Sequence, residues 1–140
     1  GRKLNDNMGY IIVQKVLNLM RNKNIVIEHS RVLIMGLSFK ENCPDLRNTK
    51  VVDLIKSFKD NNCKVDVYDP WVNPNIAMQE YNIALEKTLT KGKYDAIILS
   101  VAHDEFKSYT SSQIRAFGKD INILFDVKHL FGLGEVDGRL

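Results

Sequence analysis

Near the start of the chain, apolar residues recur at helical spacing. Leu4, Met8, Ile11, Ile12, Val16, Leu19 and Met20 fall three, four or one apart over residues 4–20, which predicts one long helix with a wide apolar stripe. Residues 21–30, RNKNIVIEHS, extend this helix or close it before a turn. Four short apolar runs follow. RVLIMG (31–36) and KVDVYD (64–69) are rich in β-branched residues, while YDAIILS (94–100) and INILFDV (121–127) are nearly continuous apolar stretches. Continuous runs are the signature of strands covered on both faces, as in a parallel sheet.

Between the first two runs lies TKVVDLIKSFKDN, in which Val51, Val52, Leu54, Ile55 and Phe58 make a helical face, with Asn48 or Thr49 available as N-cap. Between the third and fourth, HDEFKSYTSSQIRAFGKD holds one or two short helices, with Gly118 as a C-cap after Ile114 and Phe117. Residues 70–92 are less regular: PWVNPN reads as a loop, IAMQEYN as a helical turn or two, and Leu85 to Thr90 as another short helix. The tail GLGEVDGRL, with three glycines, reads as irregular. Strands alternating with helices predict an α/β fold, a Rossmann-like parallel sheet flanked by helices and preceded by one long helix. A boundary falls near residues 22–30, between that helix and the sheet.

Length and composition narrow the function. At 140 residues and 44% hydrophobic, the chain suits one ordinary domain with a real core. No apolar run approaches the ~20 residues of a spanning helix, so no membrane role is expected. The net charge of +3, without a dense Lys/Arg block, argues against nucleic acid and suits a small anionic ligand. Cys43 and Cys63 are too few for a disulfide-stapled secreted domain, which points to reduced thiols in a cytoplasm. The chain opens on Gly1 and Arg2 without an initiator Met and reads as a segment of something longer.

The densest candidate chemistry is GLSFKENCPDLRNTK, residues 36–50, between the first strand and the helix after it. In an open parallel sheet, ligands bind outside the carboxyl ends of the strands. A helix N-terminus there offers unpaired N–H groups, and Lys40 and Arg47 add two positive charges, so anionic oxygens are the natural guest. The stretch is neither the dinucleotide fingerprint G-x-G-x-x-G nor a Walker A loop. A solvated loop organised by an Asp45–Arg47 contact is the other reading. Cys43 has no activating base nearby and is taken as a neutral loop residue. His29, His103 and His129 lack metal-ligand spacing with the cysteines, so no metal site is expected. His103 follows the third strand and is expected as a surface residue opening a helix. Asp69 stands 33 positions after Gly36 instead of the ~20 of a ribose-binding acid, and Pro70 beside it favours a structural role.

GLSFKENCPDLRNTKVVDLI closely resembles the start of the C-terminal domain of the UDP-glucose/GDP-mannose dehydrogenase family, which typically reads G-x-x-F-K-x-x-x-x-D-x-R. GRKLNDNMGYIIVQKV resembles the helix before that domain, VDVYDPWV its second strand and Asp-Pro turn, YDAIILSVAHDEFKSY its third strand, and ILFDVKHLF its last core strand. The likeness is strongest to the branch acting on UDP-N-acetylhexosamines in surface polysaccharide synthesis. It implies residues 1–29 as the end of a central dimerisation helix and 30–140 as the nucleotide-sugar (UDP) binding domain. The family oxidises the sugar C6 alcohol to a carboxylate with two NAD+, so the implied parent is an NAD-dependent UDP-sugar 6-dehydrogenase, a homodimer or higher. The catalytic Cys and the NAD domain belong to parts absent here, which implies no catalytic residue in this stretch and no activity by itself. By the same resemblance Phe39, Lys40 and Lys128 border the UDP-sugar and Arg47 reaches the NAD cofactor. Lys128 stands where many members have the Arg of Asp-Gly-Arg, and it lacks the bidentate fork of a guanidinium. The alternative is an independent flavodoxin-like binding module with no dehydrogenase role.

Overall fold

The structure is a computed structural model that describes residues 8–140, so Leu4 of the leading stripe lies outside the described residues. In chain order the elements are α1 (Met8–Asn22), β1 (Arg31–Met35), α2 (Val51–Asp60), β2 (Lys64–Tyr68), α3 (Pro74–Tyr81), β3 (Tyr94–Leu99), α4 (Asp104–Lys107), α5 (Ser111–Arg115), β4 (Gly118–Asp126), a 3-10 turn (Leu133–Glu135) and β5 (Gly138–Arg139). The strands form one all-parallel sheet of order β2-β1-β3-β4-β5.

Both faces of the sheet are covered, which is why β1 and β3 read as unbroken apolar runs. Val32 and Ile34 of β1 and Ala96 and Ile98 of β3 point into one cluster with α1, α2 and Ala77 of α3. Leu33, Met35, Ile97 and Leu99 point the other way, against Phe106 of α4 and Ile114 of α5. The stripe of α1 is committed to this sheet: Ile12, Val13, Val16, Leu17 and Met20 are at most 4% exposed, each contributing about 1.5–3 kcal/mol by leaving water. The family resemblance implies a stripe that packs on other parts of a longer chain; in the structure it packs on the sheet of this chain. Gly9 lets α1 cross close to α2, since a Cβ there would lie 3.2 Å from the Leu54 nitrogen.

Three local expectations are corrected. Leu85 to Thr90 forms no helix; Leu85 bridges in parallel to Val67, and the Glu86 N–H donates to the Val67 carbonyl at 2.8 Å. A free edge beside β2 outcompetes a helix with so short an apolar face. Gly118 does not cap α5 but opens β4 opposite Tyr94, so that strand starts earlier than its apolar run. The tail is ordered by charge. Asp137 accepts from Lys23 Nζ (2.9 Å), from Arg115 (2.9 Å) and from the Leu124 N–H (2.8 Å), and the next residues pair with β4 as β5.

The tightest point is the end of β1. Gly36 has φ +108°, and a Cβ on it would lie 2.6 Å from Val101 Cβ and 2.8 Å from the Val101 nitrogen. Gly36→Ala combines backbone strain with overpacking, and urea denaturation should show a loss of about 2–4 kcal/mol. A variant as stable as the native chain would mean that this close approach is not needed.

Candidate functional site

The carboxyl ends of β1, β2 and β3 meet over one buried carboxylate. Asp69, just after β2, is 4% exposed. Its Oδ2 accepts from the Leu37 N–H (2.7 Å), the Ser38 N–H (3.0 Å) and His103 Nε2 (3.0 Å), and its Oδ1 accepts from the Trp71 N–H (2.8 Å). Burial pushes this carboxyl up, but the imidazole N–H and the two amides outweigh it and hold the group below the ordinary carboxylate value. The residue at the end of the second strand is thus turned inward to hold the loop after the first, which is the structural role its Asp-Pro context suggested.

His103 is fully buried, which corrects the expectation of a surface histidine. Its Nδ1 accepts the Asn42 N–H at 2.9 Å, so the hydrogen sits on Nε2, facing Asp69. Ser38 Oγ lies 3.2 Å from that same Nε2 and donates to the Lys40 carbonyl at 3.0 Å. A Ser, a His and an Asp in contact invite comparison with a hydrolytic triad, but the wiring differs. Serine and aspartate share one ring nitrogen that already carries a hydrogen, and a backbone amide occupies the other, so no base faces the hydroxyl. Trp71 stacks over the imidazole at 6.0 Å and Phe106 meets it edge-on at 5.3 Å. The cluster was not visible in the sequence, because nothing in the spacing of residues 38, 69 and 103 marks them as neighbours.

These contacts shape the β1–α2 connection. The Phe39 N–H donates to the Asp45 carbonyl at 2.8 Å, closing residues 39–45 into a compact loop. Leu46 is buried, and its carbonyl accepts from Tyr81 Oη at 2.8 Å. Thr49 Oγ1 donates to the Leu37 carbonyl (2.7 Å) and accepts the Val51 N–H (3.2 Å). It serves the first turn of α2 from one position ahead, since Lys50 occupies the cap position without a side-chain cap bond.

Beside this loop, at the carboxyl edge of the sheet, is a cleft of about 110 Å³ walled by α1, the start of α2 and the loops after β1, β3 and β4. Phe39 and Lys128, far apart in sequence, both line it, together with Lys50, while Gly9 and Ile12 form an apolar side. No acidic side chain lines it among the described residues. Lys40 follows Phe39 on the exposed side of the loop and does not line the cleft. Arg47 stands outside as well: its side chain is 87% exposed and forks onto Asp45 at 3.1 Å through both Nε and Nη2. That pair holds the Asp45 carboxyl below its ordinary value, so the internal contact expected for this loop is present. Two residues before Lys128, Asp126 is fully buried, and its Oδ2 accepts the Phe131 N–H at 2.9 Å.

A half-apolar cleft with lysines and a helix N-terminus can seat an aromatic or sugar ring against a phosphate. Its volume is below the ~300 Å³ of a typical small-molecule site, so a ligand the size of a nucleotide would extend beyond it. Among the described residues no cluster of His, Cys, Asp and Glu suited to a metal ion is present, and no helix is long and apolar enough to cross a membrane.

Comparison with known proteins gives this geometry a context. Residues 33–132 match the family model described as UDP-glucose/GDP-mannose dehydrogenase family, UDP binding domain. Over its full 140 residues the chain is 49% identical to a UDP-N-acetyl-D-glucosamine 6-dehydrogenase of Pseudomonas aeruginosa and 44% identical to one of Salmonella typhi, spanning 33% of each. The chain is therefore about a third of the length of these curated relatives. Among solved structures, 96% of it superposes on 31% of a UDP-D-ManNAc dehydrogenase from Pyrococcus horikoshii with a TM-score of 0.78 at 21% identity. A further 94% match covers 27% of an NDP-N-acetyl-D-galactosaminuronic acid dehydrogenase from Methanosarcina mazei, with a TM-score of 0.82 at 18% identity. At such identities the superpositions establish the shared fold.

The Asp69 junction predicts a pH signature. A carboxylate held below its ordinary value contributes stability that is complete above the unfolded value of 3.8 and is lost as the pH falls through the lower folded value. Asp69→Asn should therefore cost stability at pH 7, by about 2–4 kcal/mol, with the difference from the native chain shrinking below about pH 4. Urea denaturation across that range reads it; a difference that stays constant with pH would refute the charged junction.

Proposed function

This chain belongs to the UDP-glucose/GDP-mannose dehydrogenase family, and we propose that it is the C-terminal, nucleotide-sugar-binding part of an NAD-dependent UDP-sugar 6-dehydrogenase. The observation that carries this reading is the cleft at the carboxyl edge of the sheet, where Phe39 and Lys128 converge beside the start of α2 in a chain of this family. Phe39 lies against the nucleotide sugar, Lys128 takes the diphosphate as a point charge, and Lys40 adds positive potential from the loop rim. UDP-N-acetylglucosamine or a related UDP-N-acetylhexosamine is the substrate, a choice supported by the names of the 49% and 44% identical relatives. The complete protein oxidises C6 to a carboxylate with two NAD+ and serves surface polysaccharide synthesis.

The remaining parts of the reaction lie outside this chain. NAD is held mainly by an N-terminal domain, and Arg47 reaches toward it across the interdomain cleft by leaving Asp45. The modest cleft volume supports the view that this chain binds part of the ligand and turns nothing over alone. Residues 1–29 belong to the end of a central region through which the parent forms a dimer or larger assembly, and residues 30–140 are the UDP-binding domain. Two free cysteines suit a cytoplasmic protein. The alternative of a free-standing module loses support, since the relatives carry this stretch as a third of a longer chain.

In the complete protein, Lys128→Ala and Phe39→Ala should each weaken UDP binding roughly ten-fold, measured by calorimetry. Arg47→Ala should raise the KM for NAD+ while leaving UDP affinity within about two-fold. UDP affinity unchanged by Lys128→Ala would remove the diphosphate assignment.

A further inference from the structure

We propose that His103 is a positioning residue for nucleotide-sugar binding, acting through the segment Ser38–Asn42, an inference that rests on the reading of Phe39 and Lys40 given above. The segment is anchored at both ends, and only its far end hangs on the imidazole directly. At the near end the Ser38 N–H donates to Asp69 at 3.0 Å, with Ser38 Oγ 3.2 Å from Nε2; at the far end the Asn42 N–H donates to Nδ1 at 2.9 Å. Between the two anchors stand Phe39 and Lys40, both exposed. A second tie repeats the link across the same gap, because Asn42 Oδ1 accepts the Asp104 N–H at 3.0 Å. Asn42 itself has φ 55°, a left-handed conformation that asparagine adopts more readily than most residues. The imidazole is rigid in turn, held by Asp69 and packed between Trp71 and Phe106. One ring therefore spans the carboxyl ends of β1, β2 and β3 and fixes how the loop presents its two ligand residues. Fixing the loop before the ligand arrives lowers the ordering cost of binding.

The two ring nitrogens do different work, and two substitutions separate them. A glutamine amide reaches the Nε2 position and can still donate to Asp69, but it leaves the Asn42 amide without its acceptor. That amide is part-buried on an otherwise exposed residue and can turn to water, so the fold loses little. An asparagine carbonyl reaches the Nδ1 position and can still accept from Asn42, but it deprives the buried Asp69 of a donor. His103→Gln should therefore melt close to the unsubstituted protein while binding UDP roughly ten-fold more weakly. His103→Asn should melt lower while its folded form binds UDP within about two-fold of the unsubstituted protein.

The test is calorimetric titration of UDP into the complete protein and both variants below their melting temperatures, with hydrogen exchange read at the Asn42 amide. Faster Asn42 exchange and weakened UDP binding in His103→Gln, with neither in His103→Asn, is the expected result. If UDP affinity follows the melting temperature across the pair, or if His103→Gln binds like the unsubstituted protein, His103 is only a buried structural residue and the inference is overturned. Should His103→Asn fail to fold, His103→Gln decides alone. An unsubstituted protein that binds no UDP would instead overturn the functional reading, and this inference with it.

Discussion

A carboxylate removed from water must find donors for its oxygens, and the donors available to Asp69 lie on three different connections. Two are amides of the loop after β1, one is the imidazole after β3, and one is the amide of Trp71 in its own turn. Satisfying one buried charge therefore draws the carboxyl ends of three strands into a single arrangement. In an order of β2-β1-β3-β4-β5, the chain reverses its direction of winding between β1 and β3, and the crevice that opens there is where ligands of such sheets usually sit. Here that crevice is narrowed. Val101 packs on Gly36, Ser100 Oγ lies 2.6 Å from the Gly36 carbonyl, and His103 fills the space beyond. Ser100 and Val101 also line the open cleft, which extends from there toward α1 and α2.

That extension accounts for the part α1 plays. Its apolar face closes one side of the sheet, and its first turn, through Met8, Gly9 and Ile12, walls the cleft. The helix that looks separable in the sequence is thus part of both the core and the candidate site. Tyr10 and Ile11 on the same helix remain 61% and 40% exposed, on the side turned away from the sheet.

The charged residues divide by what surrounds them. Asp137, between Lys23 and Arg115, fastens a glycine-containing tail to the sheet, so those charges serve the fold. Arg47 and Asp45 pair at the surface, where an ion pair contributes little to stability because water screens it. A pair so weakly held can be exchanged for another partner at small cost. Lys128 is exposed at the cleft, where its charge needs no partner to be tolerated.

The sequence by itself determined the layers. Short, β-branched apolar runs bounded by turn residues read as strands covered twice, and the 3.6-residue stripes at 51–58 and in the leading helix read as faces that must be buried, so fold class and the main strands were legible from pattern alone. Family membership was legible too, because the Phe-Lys and Asp-x-Arg spacing is carried by one continuous stretch. Tertiary structure decided what depends on residues far apart in the chain. Leu85 became an edge bridge because β2 left backbone groups unpaired there, and the tail became β5 because Asp137 found two cations. Phe39 and Lys128 share a cleft because β1 and β4 end at the same edge. His103 is buried because an acid 34 positions away and an amide 61 positions away both needed its ring nitrogens. Local spacing encodes which face an element buries; it does not encode which distant polar group will satisfy another, and the candidate site is built from such pairings.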